Sequence, residues 1–177
     1  MSVKLIITEK PSVARDIAKV LKANGKKDGY IEGNDLKITW ALGHLIEFMQ
    51  PDEYGEQFQK WDMSHLPIIP DEFKTKPIAS SKQQYDIVKQ LLQGDDISEV
   101  VCATDAGREG ELIFRLVYED AGCKAPIKRL WISSQTDSAI KSGFDDLKPG
   151  EDYNPLYDSA RSRAEADWIV GINATRA

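Results

Sequence analysis

Short runs of β-branched and aliphatic residues alternate with stretches of helical period along this chain, and that alternation most limits what it can fold into. Val3-Lys4-Leu5-Ile6-Ile7-Thr8 reads as a strand buried on both faces. Pro11 and Ser12 open a helix whose Val13, Ile17, Val20 and Leu21 share one side, and Gly25 stops it. Tyr30-Ile31 and Leu36-Lys37-Ile38-Thr39-Trp40 flank Gly33-Asn34-Asp35, the composition of a hairpin. A second helix from Ser81 carries Tyr85, Val88, Leu91 and Leu92 on one face. Val100-Val101-Cys102-Ala103-Thr104 is again a strand, and Leu112, Ile113, Leu116 and Val117 mark the helix after it. Ile127 to Ile132 gives another strand, and Thr136 caps a helix closed by Pro149-Gly150. The order β-α-(ββ)-α-β-α-β-α predicts an α/β fold, a mostly parallel sheet with helices on both faces.

At 177 residues the chain is about one domain long. Residues 1–150 account for the predicted sheet. Residues 151–177 contain one long helix, with Leu156, Ala160, Ala164, Trp168 and Gly171 at near-helical spacing, and it starts after that core is complete. This segment reads as the start of a second, truncated helical domain. No apolar run approaches the ~18 residues of a membrane helix, so no membrane is expected. Two cysteines exclude a disulfide scaffold and a four-cysteine zinc site, and a reducing cytoplasm is the expected location.

The net charge of −6 has the wrong sign for a nucleic-acid binder, but the excess is local. Residues 45–73 hold Glu47, Asp52, Glu53, Glu56, Asp62, Asp71 and Glu72 against Lys60 alone, and the remainder balances. From Phe48 to about Pro77 no period persists, so this stretch reads as a long irregular surface excursion. Loops of that length in compact domains are usually functional.

Parallel sheets collect ligands beyond the carboxyl ends of their strands. Both acidic motifs fall there: Glu9 follows the first strand, and Asp105, Glu109 and Glu111 follow a later one. Clustered carboxylates raise one another's pKa and need a cation. An oxygen-only donor set without histidine or cysteine suits Mg²⁺, which takes one or two carboxylates plus waters and substrate phosphates. Lys10 and Arg108 stand beside the acids and suit the phosphate. His44, in a Gly-His-Leu run, reads as a structural hydrogen-bonding residue, and Cys102 as a small core residue.

Thr8-Glu9-Lys10-Pro11-Ser12-Val13-Ala14-Arg15 followed by Ala103-Thr104-Asp105-Ala106-Gly107-Arg108-Glu109-Gly110-Glu111 resembles the Toprim domain of type IA DNA topoisomerases, in the bacterial topoisomerase III branch. Ala41 to Leu45, Lys60-Trp61 with Leu66 to Pro70, Arg129 to Ser134 and Leu156 to Ala177 extend the likeness over the whole length. The resemblance implies that Glu9, Asp105 and Glu109 hold Mg²⁺, with Glu111 a substitute ligand. It also implies that Glu9 acts as general acid at the leaving oxygen and that Lys10 holds the scissile phosphate. Toprim motifs usually read Asp-x-Asp, but here the second position is Gly107, so a single Mg²⁺ is expected. The likeness places Arg163, Asp167, Trp168 and Arg176 near a single-stranded DNA groove, with Trp61 and Arg108 as further DNA contacts.

Type IA enzymes cut one strand by attack of a tyrosine that remains as a 5′-phosphotyrosyl ester. In the family that tyrosine lies in a later domain. Tyr30, Tyr54, Tyr85, Tyr118, Tyr153 and Tyr157 match no such motif, so these residues alone are expected to bind metal and cleave nothing. The whole enzyme would relax or decatenate DNA in the nucleoid. No ATP is expected, because the phosphate-binding Gly-Lys-Ser/Thr loop is missing. Two other readings stay open: a Toprim nuclease or primase-like protein that activates water at the metal, and a non-catalytic DNA-binding module for which Gly107 is the best argument.

Overall fold

A computed structural model describes residues 2–177. Strand β1 (Val3–Thr8) lies at the centre of a seven-stranded sheet. Helix α1 (Pro11–Val20) leads to β2 (Gly25–Lys27), β3 (Tyr30–Gly33) and β4 (Leu36–Trp40). A small separate ribbon pairs β5 (Ile46–Phe48) with β6 (Thr75–Pro77). Next come α2 (Lys82–Leu92), β7 (Ile97–Ala103), α3 (Arg108–Asp120) and β8 (Ile127–Arg129). Helix α4 (Asp137–Asp145), β9 (Lys148–Pro149) and α5 (Asn154–Arg176) complete the chain.

The strand order is β2-β3-β4-β1-β7-β8-β9. The four inner strands run parallel, and antiparallel β2 and β3 on one side and β9 on the other close the edges. Alternation along the strands builds two cores. Leu5, Ile7, Val100 and Cys102 point to the face covered by α2, α3 and the start of α5. Ile6, Ile38, Val101 and Ala103 point to the face covered by α1 and α4. The central strands β1 and β7 are therefore apolar on both sides, which is why these runs read as near-continuous hydrophobic segments.

The hairpin between β3 and β4 turns at Asn34 and Asp35, both at positive φ (53° and 58°), as a two-residue hairpin loop requires. Thr136 caps α4 by accepting a hydrogen bond from the Ala139 amide at 3.3 Å. Three expectations are revised. Helix α1 ends at Val20, with Lys22 at positive φ (58°) just beyond it, so Gly25 does not stop the helix but begins β2, where it pairs with β3. The strand read as Ile127 to Ile132 pairs only as far as Arg129. The irregular excursion is closed at its base by the β5–β6 ribbon and otherwise holds only short 3₁₀ turns.

Helix α5 is not idle. Tyr157 and Ala160 in its first turns are buried in the core beneath α3. Its far half pins the excursion. Trp168 donates its indole N–H to the Met49 carbonyl at 3.1 Å and meets Tyr54 and Phe73 edge-on. Asn173 exchanges hydrogen bonds with the Ile68 backbone at 2.6 and 2.9 Å, and Arg176 donates to the Phe58 carbonyl. Among the described residues no helix is long and apolar enough to cross a membrane.

If α5 holds the excursion in this way, Trp168→Ala should speed limited proteolysis between residues 50 and 70 severalfold. The main thermal transition, carried by the sheet cores, should move by no more than a few degrees.

Candidate active site

Because β1 and β7 pair in parallel with Thr8 opposite Ala103, both chains leave the sheet at the same edge. Glu9 and Asp105 therefore emerge side by side. Lys10, the residue before α1, reaches Asp105 Oδ2 with its ammonium at 3.3 Å and Glu9 Oε1 at 3.9 Å. The two carboxylate oxygens can then be no further apart than those two legs laid end to end. The Glu9 side chain is only 15% exposed, and Asp105 stands half in solvent at 51%.

Burial and the charge of Asp105 push the Glu9 carboxyl above its ordinary value. The Lys10 ammonium and the nearby backbone of Asp105 act in the opposite sense, and Glu109 adds to the repulsion. Glu109 lies in the first turn of α3, mostly exposed, and its carboxylate pairs with His44 Nε2. His44 arrives from the loop after β4. That loop turns through positive φ at Leu42 and Gly43, and it is zipped to β1 by hydrogen bonds from Ala41 to Thr8 and from Gly43 to Glu9. His44 makes the hydrogen bond expected of it, but its partner is Glu109, an acid of the candidate cleft rather than a structural group. Its position directly after a strand, on the carboxyl edge, was the available signal.

A cleft of about 620 Å³ opens over these groups. One wall is Glu9, Asp105, Arg108 and Glu109; the other is Arg163 and Asp167 on α5. Arg163 and Asp167 face each other as an exposed pair at 3.6 Å. Trp168 and Arg176 are not in this cleft, because both are spent on the excursion. Trp61 is 65% exposed there, beneath the Arg176 guanidinium at 5.7 Å, so the expected DNA-contact residues fall into two separate groups.

Glu111 also departs from expectation. Its side chain is buried, with Arg115 Nε on one oxygen and Arg129 Nε on the other, each at 3.0 Å. Both oxygens are taken by guanidinium groups beneath the cleft floor, so Glu111 does not serve as a ligand in the cleft. The cleft is lined by no tyrosine. Burial and the neighbouring Glu119 push Tyr157 up to about 12, and Tyr85 and Tyr118 are raised by burial too. Burial likewise pushes the Cys102 thiol up to about 11, the behaviour of an inert core residue.

The donor set fits a hard divalent cation. Among the described residues no cage of three acidic, histidine or cysteine ligands is preassembled. Two adjacent carboxylates with water and phosphate completing the shell are what Mg²⁺ normally takes. Gly107 leaves room: a β-carbon there would meet nothing within 4 Å.

A Toprim domain family model matches residues 4–135. The chain is 54% identical over all 177 residues to DNA topoisomerase 3 of Bacillus subtilis, and 53% identical over 173 residues to that of Staphylococcus epidermidis. It spans 24% of the length of each relative. Its fold matches full-length topoisomerase I from Thermotoga maritima with a TM-score of 0.58 at 20% identity, covering 94% of this chain and 24% of that one.

The raised Glu9 carboxyl has a consequence for stability. Between its ordinary value of 4.5 and its higher folded value, the native state binds more protons than the unfolded chain. Stability therefore falls as pH rises through that window. Glu9→Gln should raise the thermal midpoint by up to a few degrees above the window and leave it nearly unchanged below pH 4.5, read by calorimetric melts across pH.

Proposed function

Since the chain belongs to the Toprim domain family, we propose that it is the acid-bearing quarter of a type IA DNA topoisomerase of the topoisomerase 3 kind. In this reading residues 1–150 form the Toprim unit, and α5 leads into a helical DNA-binding domain. The whole enzyme cuts and reseals one DNA strand, working on single-stranded regions in the cytoplasm. The observation that carries the reading is the meeting of Glu9 and Asp105 around Lys10 at one sheet edge, under a cleft whose far wall carries Arg163.

Glu9, Asp105 and Glu109 would hold Mg²⁺, which when bound stabilises negative charge on the scissile phosphate's oxygens. The residues of the chain supply the rest. Lys10 and Arg163 bring positive charge to the phosphates of a strand lying over the cleft. Glu9, whose carboxyl holds its proton to higher pH than an ordinary glutamate, would donate it in this reading. In strand cleavage the oxygen–phosphorus bond to a tyrosine forms, the bond to the 3′ oxygen breaks, and that oxygen needs a proton. With no tyrosine in the cleft, the nucleophile must come from another part of the whole enzyme.

The chain should bind a fluorescent single-stranded oligonucleotide, measured by anisotropy. Arg163→Ala should reduce the salt slope by about one, as expected for one lost phosphate contact. With Mg²⁺ the end-labelled strand should stay intact. Cleavage without a covalent protein adduct would favour the nuclease reading, and salt-independent or undetectable binding would contradict the proposal.

A further inference from the structure

The acids of the cleft repel one another, and Asp105 sits on a loop of small residues, Ala106 and Gly107, that could relieve the repulsion by swinging outward. Arg129, at the end of β8, opposes this from below. It is fully buried and spreads its guanidinium over the end of β7: Nη1 donates to the carbonyls of Cys102 at 3.1 Å, Thr104 at 2.8 Å and Leu130 at 2.9 Å. Nη2 donates to the carbonyl of Asp105 at 2.9 Å. The Asp105 peptide is therefore held at its carbonyl by Arg129.

A buried cation needs a counterion, and Glu111 supplies it at 3.0 Å while Trp131 and Tyr153 cover the guanidinium at 5.1 and 5.9 Å. The helix closes the remaining side. A β-carbon on Gly110 would come within 2.0 Å of the Asp105 carbonyl oxygen, and Thr104 Oγ1 donates to the Gly110 carbonyl at 2.7 Å. Arg115, the other partner of Glu111, points elsewhere and donates to Gly150 at 2.7 Å.

We propose that Arg129, with Glu111 as its counterion, is a positioning residue: it locks the Asp105 peptide so that the acidic cleft keeps its geometry against like-charge repulsion. The metal consequence rests on the function proposed above, whereas the locking itself does not. Lysine cannot replace this planar fork, because an ammonium cannot reach along both Nη directions at once.

The test is hydrogen exchange of the amides of residues 104–107, together with Mg²⁺ titration followed by NMR shifts, on the 177-residue chain. Arg129→Lys should accelerate exchange at 104–107 roughly tenfold or more beyond what its global loss of stability explains, and weaken Mg²⁺ binding about tenfold. Arg115→Lys disturbs the same buried acid without touching Asp105. It should lower global stability and leave both local readouts unchanged. Gly110→Ala displaces the Asp105 carbonyl with Arg129 intact, and should reproduce the local loosening if Arg129→Lys does not fold. Exchange at 104–107 that is the same in Arg129→Lys and Arg115→Lys, or unaltered in Gly110→Ala, would overturn the proposal. A wild-type chain that binds no Mg²⁺ while the exchange contrast holds would refute the metal reading and leave the locking role standing.

Discussion

Glu9 and Asp105 meet because β1 and β7 run parallel with aligned ends, and whatever follows two such strands must share an edge. The rest of the site follows from that register. Two acids this close destabilise each other, so each further feature of the edge reads as a response: an ammonium between them, a histidine on the third acid, an arginine fork beneath the loop. The fold tolerates the repulsion because it is localised on two short loops. The apolar strands beneath, buried on both faces, carry the stability.

Much of this was legible in the sequence because its signals are local. Short continuous apolar runs such as Leu5-Ile6-Ile7, rich in β-branched residues, read as strands covered on both sides, and Pro11 and Thr136 punctuate the helices by their own backbone chemistry. The placement of Glu9 and Asp105 needed only the rule that parallel strands end together. The β5–β6 ribbon was invisible because three residues on each side carry no periodicity, and β2 because its residues are exposed and polar.

Side-chain assignments that depended on long-range partners were less legible. Glu111 lies two positions after Glu109 and looks equivalent to it, yet on a helix two positions is about 200° of turn, so one acid faces the cleft and the other the core. Trp168 and Arg176 look like a DNA-binding pair on α5, but the backbone carbonyls of Met49 and Phe58 take their donors. No spacing within α5 reveals a loop more than a hundred residues away. Asp167, the residue just before Trp168, and Arg163, one turn before Asp167, line the cleft.

The most direct measurement of the central claim is a calorimetric Mg²⁺ titration of the chain and of its Glu9→Gln and Asp105→Asn variants. If the paired acids form the cation site, the wild-type chain binds one ion, and either substitution abolishes the heat while the variant melts as a folded protein. Binding that survives both substitutions unchanged, or a folded wild-type chain that takes up no ion at all, would contradict it.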